Sequence, residues 1–177
     1  MDGIILIINL IRILEHTKYI STFYFWNYLY KLIKSANDVL KTTTDDSKKE
    51  DRGQALGMRA FAYLTLVQMY QHTYAGHENA PAVPIVLETT EPDVLSNNPR
   101  ASVKEVYDLI EKDLVQAHSD LSSYQRLNST YIDQTVISGL LARMYLLKED
   151  WTNAAKYAKE ARASYGAPAD KAELIDE

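Results

Sequence analysis

The 177-residue chain contains no cysteine, which excludes a disulfide framework, a thiolate zinc site and a cysteine nucleophile. It also lacks an excess of basic charge, with 19 Lys and Arg against 24 Asp and Glu and a formal net charge of -5. Phosphate backbones are held by clustered cations, so nucleic acid is excluded as a partner. Long unbroken apolar runs are missing too. The strongest, Ile4 to Leu14, is interrupted by Asn9 and Arg12, whereas a spanning helix needs about 20 consecutive apolar residues. Asp2 precedes that run and Glu15-His16-Thr17-Lys18 follows it, the reverse of the basic start and small-residue end of a secretory signal. Proline is sparse, five residues in all, and four of them (Pro81, Pro84, Pro92, Pro99) fall between Thr73 and Arg100. Lost amide donors and ring clashes forbid continuous helix there.

What the chain does have is enough apolar content for a core, at 46%, in a length suited to one domain. From Tyr19 to Leu40 the residues Phe23, Trp26, Leu29, Tyr30, Ile33, Ala36 and Leu40 recur at steps of three and four, predicting an amphipathic helix with Trp26 in the core. Thr42 to Ser47 form a polar connector. From Gln54 to Gln71, Leu56, Ala60, Tyr63, Leu64, Val67 and Tyr70 share one face of a second helix, and Arg59 and Gln68 are assigned to the rest of its surface. Residues 73–100 are read as an extended insertion. Ser102-Val103-Lys104-Glu105 then spell a capping box, opening a helix to about Leu121. Two further helices, Asp133 to Lys148 and Asp150 to Ser164, are separated by a very short turn and predict an antiparallel hairpin, with Trp151 packing across it.

Within the hairpin, Leu141, Ala142, Tyr145, Ala154, Ala158 and Ala161 follow the spacing of the tetratricopeptide repeat, a unit of about 34 residues. Small residues let the helices approach while Tyr145 fills the groove. Leu66, Val67 and Tyr70, with Ile110, Leu114 and Ala117, take the equivalent places in an earlier unit interrupted by the proline-bearing segment.

No motif carries catalysis. There is no phosphate loop, no nucleophile elbow and no carboxylate pair set apart by its surroundings, so no catalytic residue, cofactor or metal ligand is assigned. His72 and His77 with Glu78 straddle Gly76 without the same-face spacing of a helical two-histidine site, and His16 and His118 lie far from them in sequence. Asn128-Ser129-Thr130 matches a glycosylation sequon in a polar loop. Among 13 tyrosines, Tyr19, Tyr24, Tyr74 and Tyr131 stand near helix ends. There a flat apolar face with a polar tip can act as a sugar platform as well as a packing element.

In order, the stretches WNYLYKLIKSANDVL, RAFAYLTLVQMYQ, the loop with VPIV and TEP, PRASVKEVYDLIEKDLVQA and GLLARMYLLKEDWTNAAKYAKEA resemble the SusD/RagB family of outer-membrane nutrient-binding lipoproteins of Bacteroidetes. The resemblance runs from Trp26 onward. It implies an all-α scaffold of tetratricopeptide-like units with an inserted proline-rich loop. It also implies a surface role, capturing oligosaccharides, or peptides in some members, and delivering them uncut to a TonB-dependent (SusC-like) transporter. On this reading residues 1–18 are an apolar segment of unassigned role. Residues 19–165 form the helical domain, with 73–100 inserted, and 166–177 lead toward a carboxy-terminal half outside this chain. The acylated cysteine of the family's leader is absent from the sequence, which suits an internal portion. The competing expectation is a tetratricopeptide adaptor that docks a peptide in its concave groove. A helical glycosidase ranks third, since no acid/base pair stands out.

Overall fold

The computed structural model describes residues 22–95 and 97–165. Tyr19, the apolar run Ile4 to Leu14, and the tail from 166 lie outside them. The described chain is all-α: α1 (residues 22–40), α2 (Lys49–Tyr70), a short α3 (Pro92–Leu95), α4 (Val103–Asp120), α5 (Gln134–Leu147) and α6 (Trp151–Tyr165).

In α1, Leu29, Ile33, Ala36 and Leu40 form the buried stripe that the three- and four-residue spacing predicts. Phe23 does not join it. At 100° per residue it lies about a quarter-turn off the stripe and is exposed. Trp26 is half-buried at the core's edge instead of inside it. After a turn at Lys41 and Thr42, Asp45 accepts the Ser47 amide (2.9 Å) and starts a single 3-10 turn, Asp46–Lys48, that leads into α2.

Helix α2 is the central element, contacting α4 and α5. Its buried residues are spread around the cylinder, from Gly53, Ala55 and Leu56 to Leu64, Leu66 and Val67. The sequence set Arg59 apart from the apolar face of this helix. It is in fact buried, because it falls within the broad arc of α2 that also buries Ala55, Ala62 and Leu66, away from the stripe of Asp51, Gln54, Phe61, Thr65 and Gln68 that meets solvent. Two glycines permit the close packing. A Cβ on Gly53 would stand 2.7 Å from Leu121 Cγ, and one on Gly57 would stand 2.7 Å from Ile137 Cδ1.

Helix α4 begins with the predicted capping box, Glu105 N donating to Ser102 Oγ (3.2 Å) and Ser102 N to Glu105 Oε2 (2.7 Å). It ends at Asp120 with Leu121 as its cap. Its apolar face (Val106, Ile110, Leu114, Ala117) packs on α2, the interrupted helix pair expected from the repeat pattern. Asp133 caps α5 by accepting the Val136 amide (2.9 Å). Glu149, at φ 61°, turns the chain into α6, and Asp150 N donates to Tyr145 O (3.0 Å). The α5–α6 hairpin follows, and α5 also touches α4, so successive helices are laid against their predecessors.

Along the hairpin Leu141, Tyr145 and Ala154 are buried, Ala142 and Ala161 half-buried, and Ala158 exposed. Trp151 is 63% exposed and does not pack across the hairpin. Seven residues apart, Trp151 and Ala158 share a flank of α6 about a quarter-turn from the seam of Ala154, Tyr157 and Ala161. The seam is finished by aromatic packing instead, with Tyr145 and Tyr157 stacked at 5.7 Å.

Candidate functional site

The proline-bearing insertion is held on the helices by side chains donating to and accepting from its backbone. Pro81 pairs with Ser102 in an isolated antiparallel bridge, with Ala82 N to Ala101 O at 2.6 Å and Ala101 N to Val83 O at 3.1 Å. Tyr30 Oη donates to Pro84 O (2.7 Å) and Asn37 Nδ2 to Val86 O (2.9 Å). Tyr63 Oη accepts the Val86 amide (2.7 Å) and donates to Val86 O (3.1 Å). Asn98 Nδ2 donates to Ile85 O (2.6 Å) and Arg100 Nε to Ala82 O (2.6 Å). These bonds replace the ladder that a strand would need, so the extended segment meets the hydrogen-bonding demand of its backbone without a sheet. Burial pushes the Tyr63 hydroxyl up to about 12, and it pushes that of Tyr30 higher still. Both phenols are therefore neutral donors at any physiological pH.

Beneath the insertion lies a buried ionic knot. Arg59 donates through Nε and Nη2 to both oxygens of Asp113 (2.7 and 2.8 Å), and through Nη1 to Asn37 Oδ1 (2.8 Å) and Glu88 Oε2 (2.5 Å). One guanidinium thus joins α1, α2, α4 and the insertion. Burial opposes its charge, but the hydrogen bonds and charges of Asp113 and then Glu88 outweigh that and raise its pKa. Burial pushes the Asp113 carboxyl up against the pull of Arg59. At Glu88, burial is outweighed by a backbone hydrogen bond and by Arg59, which together lower the carboxyl. The knot forms one wall of an open cleft of about 790 Å³, lined also by Thr43, Thr44, Arg52, Lys112 and Gln116. Arg52 is itself paired with both oxygens of Asp120 (2.8 Å each). The guanidiniums and their carboxylates are spent on one another, an arrangement that suits an uncharged, hydroxyl-rich ligand better than an ion.

The predicted tyrosines are not gathered into one platform. Tyr24, 64% exposed, stacks on Tyr28 near the start of α1 (6.4 Å, 6° between planes). Tyr74 is half-buried, edge-on to Tyr107 (4.9 Å) with Lys148 Nζ 5.6 Å from its ring centre. Tyr131, 42% exposed, stands on an apolar groove of about 520 Å³ between α1 and α2, lined by Leu32, Ala36, Val39, Ala55 and Met58. Tyr19 lies outside the described residues. His72 and His77 stack at 4.9 Å, and no cluster of three metal-ligating side chains occurs among the described residues. Two functional features were missed in the sequence, the Arg59 knot and the straps on the insertion. The one available signal was that Asn37, Arg59 and Asp113 are polar residues inside otherwise apolar helical patterns.

A family model described as starch-binding associating with outer membrane, of the SusD-like group, matches residues 9–146. Among solved structures, a SusD-like carbohydrate binding protein from Bacteroides vulgatus is 29% identical with a TM-score of 0.78, over 84% of this chain and 33% of that one. A SusD superfamily protein from Bacteroides fragilis is 26% identical with a TM-score of 0.69, over 81% of this chain and 35% of that one. A laminarin-binding SusD-like protein, 23% identical, shares the fold with a TM-score of 0.62 over 77% of this chain and 29% of its own. The chain spans about a third of the length of these structures. No curated protein matches it.

Proposed function

Because the chain belongs to the SusD-like family of starch-binding proteins associating with the outer membrane, we propose that it serves the non-catalytic capture of nutrient oligosaccharides at the cell surface and their delivery to a TonB-dependent, SusC-like transporter. The observation that carries this reading is the helical frame shared with a SusD-like carbohydrate binding protein over 84% of the chain. The cleft above the Arg59 knot supports it, since both of its guanidiniums, Arg52 and Arg59, are already paired with carboxylates. Of the tyrosine platforms, Tyr24 and Tyr131 have the exposure a sugar face requires. Residues 19–165 are read as the helical unit of such a protein, with 73–100 as its insertion. Ligand would favour a closed capture state over an open one only through its differential affinity for the two. No helix among the described residues is long and apolar enough to cross a membrane.

The α5–α6 hairpin taken alone also suits a peptide-docking adaptor. The two readings separate in one titration of the purified chain, by calorimetry, with maltoheptaose, laminarihexaose and a panel of unstructured peptides. Glycan heat without peptide heat supports capture. Peptide binding alone moves the assignment to the adaptor.

A further inference from the structure

We infer that the cleft around Trp26 is a sugar subsite for an uncharged oligosaccharide, an assignment that rests on the glycan-capture reading and gives it a location. Trp26 sits where α1, the end of α2 and the insertion meet, and it is half-buried. Tyr30 and Tyr70 hold the indole, each 5.0 Å away between ring centres, the first tilted and the second edge-on. Hollows open on two sides of it. One of about 220 Å³ is lined by Trp26, Tyr30, Pro84, Val86 and Asn98, and another of about 370 Å³ lies toward Tyr70. An indole wedged by two other rings but left open to solvent has a preorganised face, and the apolar C–H face of a pyranose is the complementary surface.

The polar groups are placed to fix orientation. Asn98 spends Nδ2 on Ile85 O, which holds its side chain at the rim of the hollow, and its Oδ1 has no hydrogen-bond partner among the described residues. That oxygen is an acceptor for a sugar hydroxyl. Tyr30 Oη donates to Pro84 O and keeps its lone pairs for a second hydroxyl. None of the side chains lining either hollow is charged at neutral pH. A carboxylated or sulfated sugar would find no counter-charge among the lining side chains, and Arg100, whose charge reaches Tyr30, is tied to Ala82 O, whereas a neutral sugar loses nothing it cannot regain. The insertion supplies Pro84, Val86 and Asn98, so its straps to α1 and α2 also shape this hollow.

The chain has two tryptophans, and Trp151→Phe, remote from the cleft, leaves Trp26 as the sole indole reporter. In that background, saturation of the full chain with maltoheptaose or laminarihexaose is expected to shift Trp26 emission. Asn98→Ala is expected to weaken the same titration at least fivefold while the circular dichroism stays that of the parent, and trigalacturonate is expected to leave the emission unmoved. Glycan binding with unchanged Trp26 emission and undiminished affinity in Asn98→Ala overturns the subsite and leaves glycan capture standing. A stronger shift with trigalacturonate overturns the uncharged class. No heat or shift with either neutral glycan overturns both the subsite and the capture reading.

Discussion

The α2–α4 pair with its insertion and the α5–α6 hairpin are two versions of the same helix-on-helix unit, held together by different means. The hairpin is closed by neighbours in sequence, through Leu141, Tyr145 and Ala154 and a three-residue turn. In the earlier pair the return stroke is delayed by some thirty residues, and those residues are tied down by polar bonds across sequence separations of 23 to 54, through Tyr63, Arg59, Asn37 and Tyr30. Apolar contact suffices where closure is local. Where an extended, sheetless segment must be fixed on a helical surface, its backbone groups set the requirement, and side chains with hydrogen-bonding heads meet it.

The sharpest break in that comparison is Arg59→Met. Removing the guanidinium leaves Asp113 buried without a partner, a loss of about 3–5 kcal/mol. Urea unfolding followed by circular dichroism should show it. A variant within about 1 kcal/mol of the parent would mean that the knot is replaceable by apolar packing, as some buried ion pairs are. Next in size is Gly53→Ala, where the added Cβ meets Leu121 Cγ. Overpacking of this kind costs about 1–3 kcal/mol, and the same readout should place it between Arg59→Met and the surface variants.

Tyr145→Phe tests the hairpin side. Tyr145 Oη donates to Glu111 Oε1 (2.8 Å) and Lys148 Nζ to Glu111 Oε2 (2.6 Å), and loss of the hydroxyl is expected to cost about 1 kcal/mol. Its effect should stay in α5, α6 and the part of α4 around Glu111, with hydrogen exchange in the insertion unchanged. The smallest effect is the pH dependence of Glu88. Its folded pKa is lowered from 4.5, so the stability it contributes is fully present above 4.5 and is lost as pH falls through the lowered value. Glu88→Gln should flatten that part of the acid limb of a stability profile. An unaltered acid limb would show that Arg59 does not hold Glu88 in solution.

The sequence was most legible where closure is local. The capping box at Ser102, the Asp133 to Lys148 and Asp150 to Ser164 helices, and the exclusion of continuous helix from 73–100 follow from short-range chemistry, and the structure has them. On α2 the predicted face of Leu56, Ala60, Tyr63, Leu64 and Val67 is buried as its spacing implies, but the buried arc is wider than that face and takes in Arg59, leaving the stripe of Asp51, Gln54, Phe61, Thr65 and Gln68 toward solvent. Arg59 then looks like surface until Asp113, fifty-four residues away, is brought beside it. Trp26 and Trp151 fail for a related reason. Spacing says which side of a helix a residue occupies but not where the neighbouring helix ends, so Trp26 stops at the core's edge and Trp151 points away from the seam. The straps on the insertion were illegible, since they join side chains to backbone atoms whose positions no sequence pattern encodes.

If the insertion is as firmly held as the helices beneath it, amide hydrogen exchange on the whole chain will show it. The amides of Ala82, Val86 and Ala101, bonded to Ala101 O, Tyr63 Oη and Val83 O, should be protected to the level of those in α2 and α4. They should lose that protection in Asn37→Ala while α5 and α6 keep theirs. Exchange of these three amides at the rate of an unstructured loop in the parent protein would show that the side-chain straps do not hold the insertion in solution.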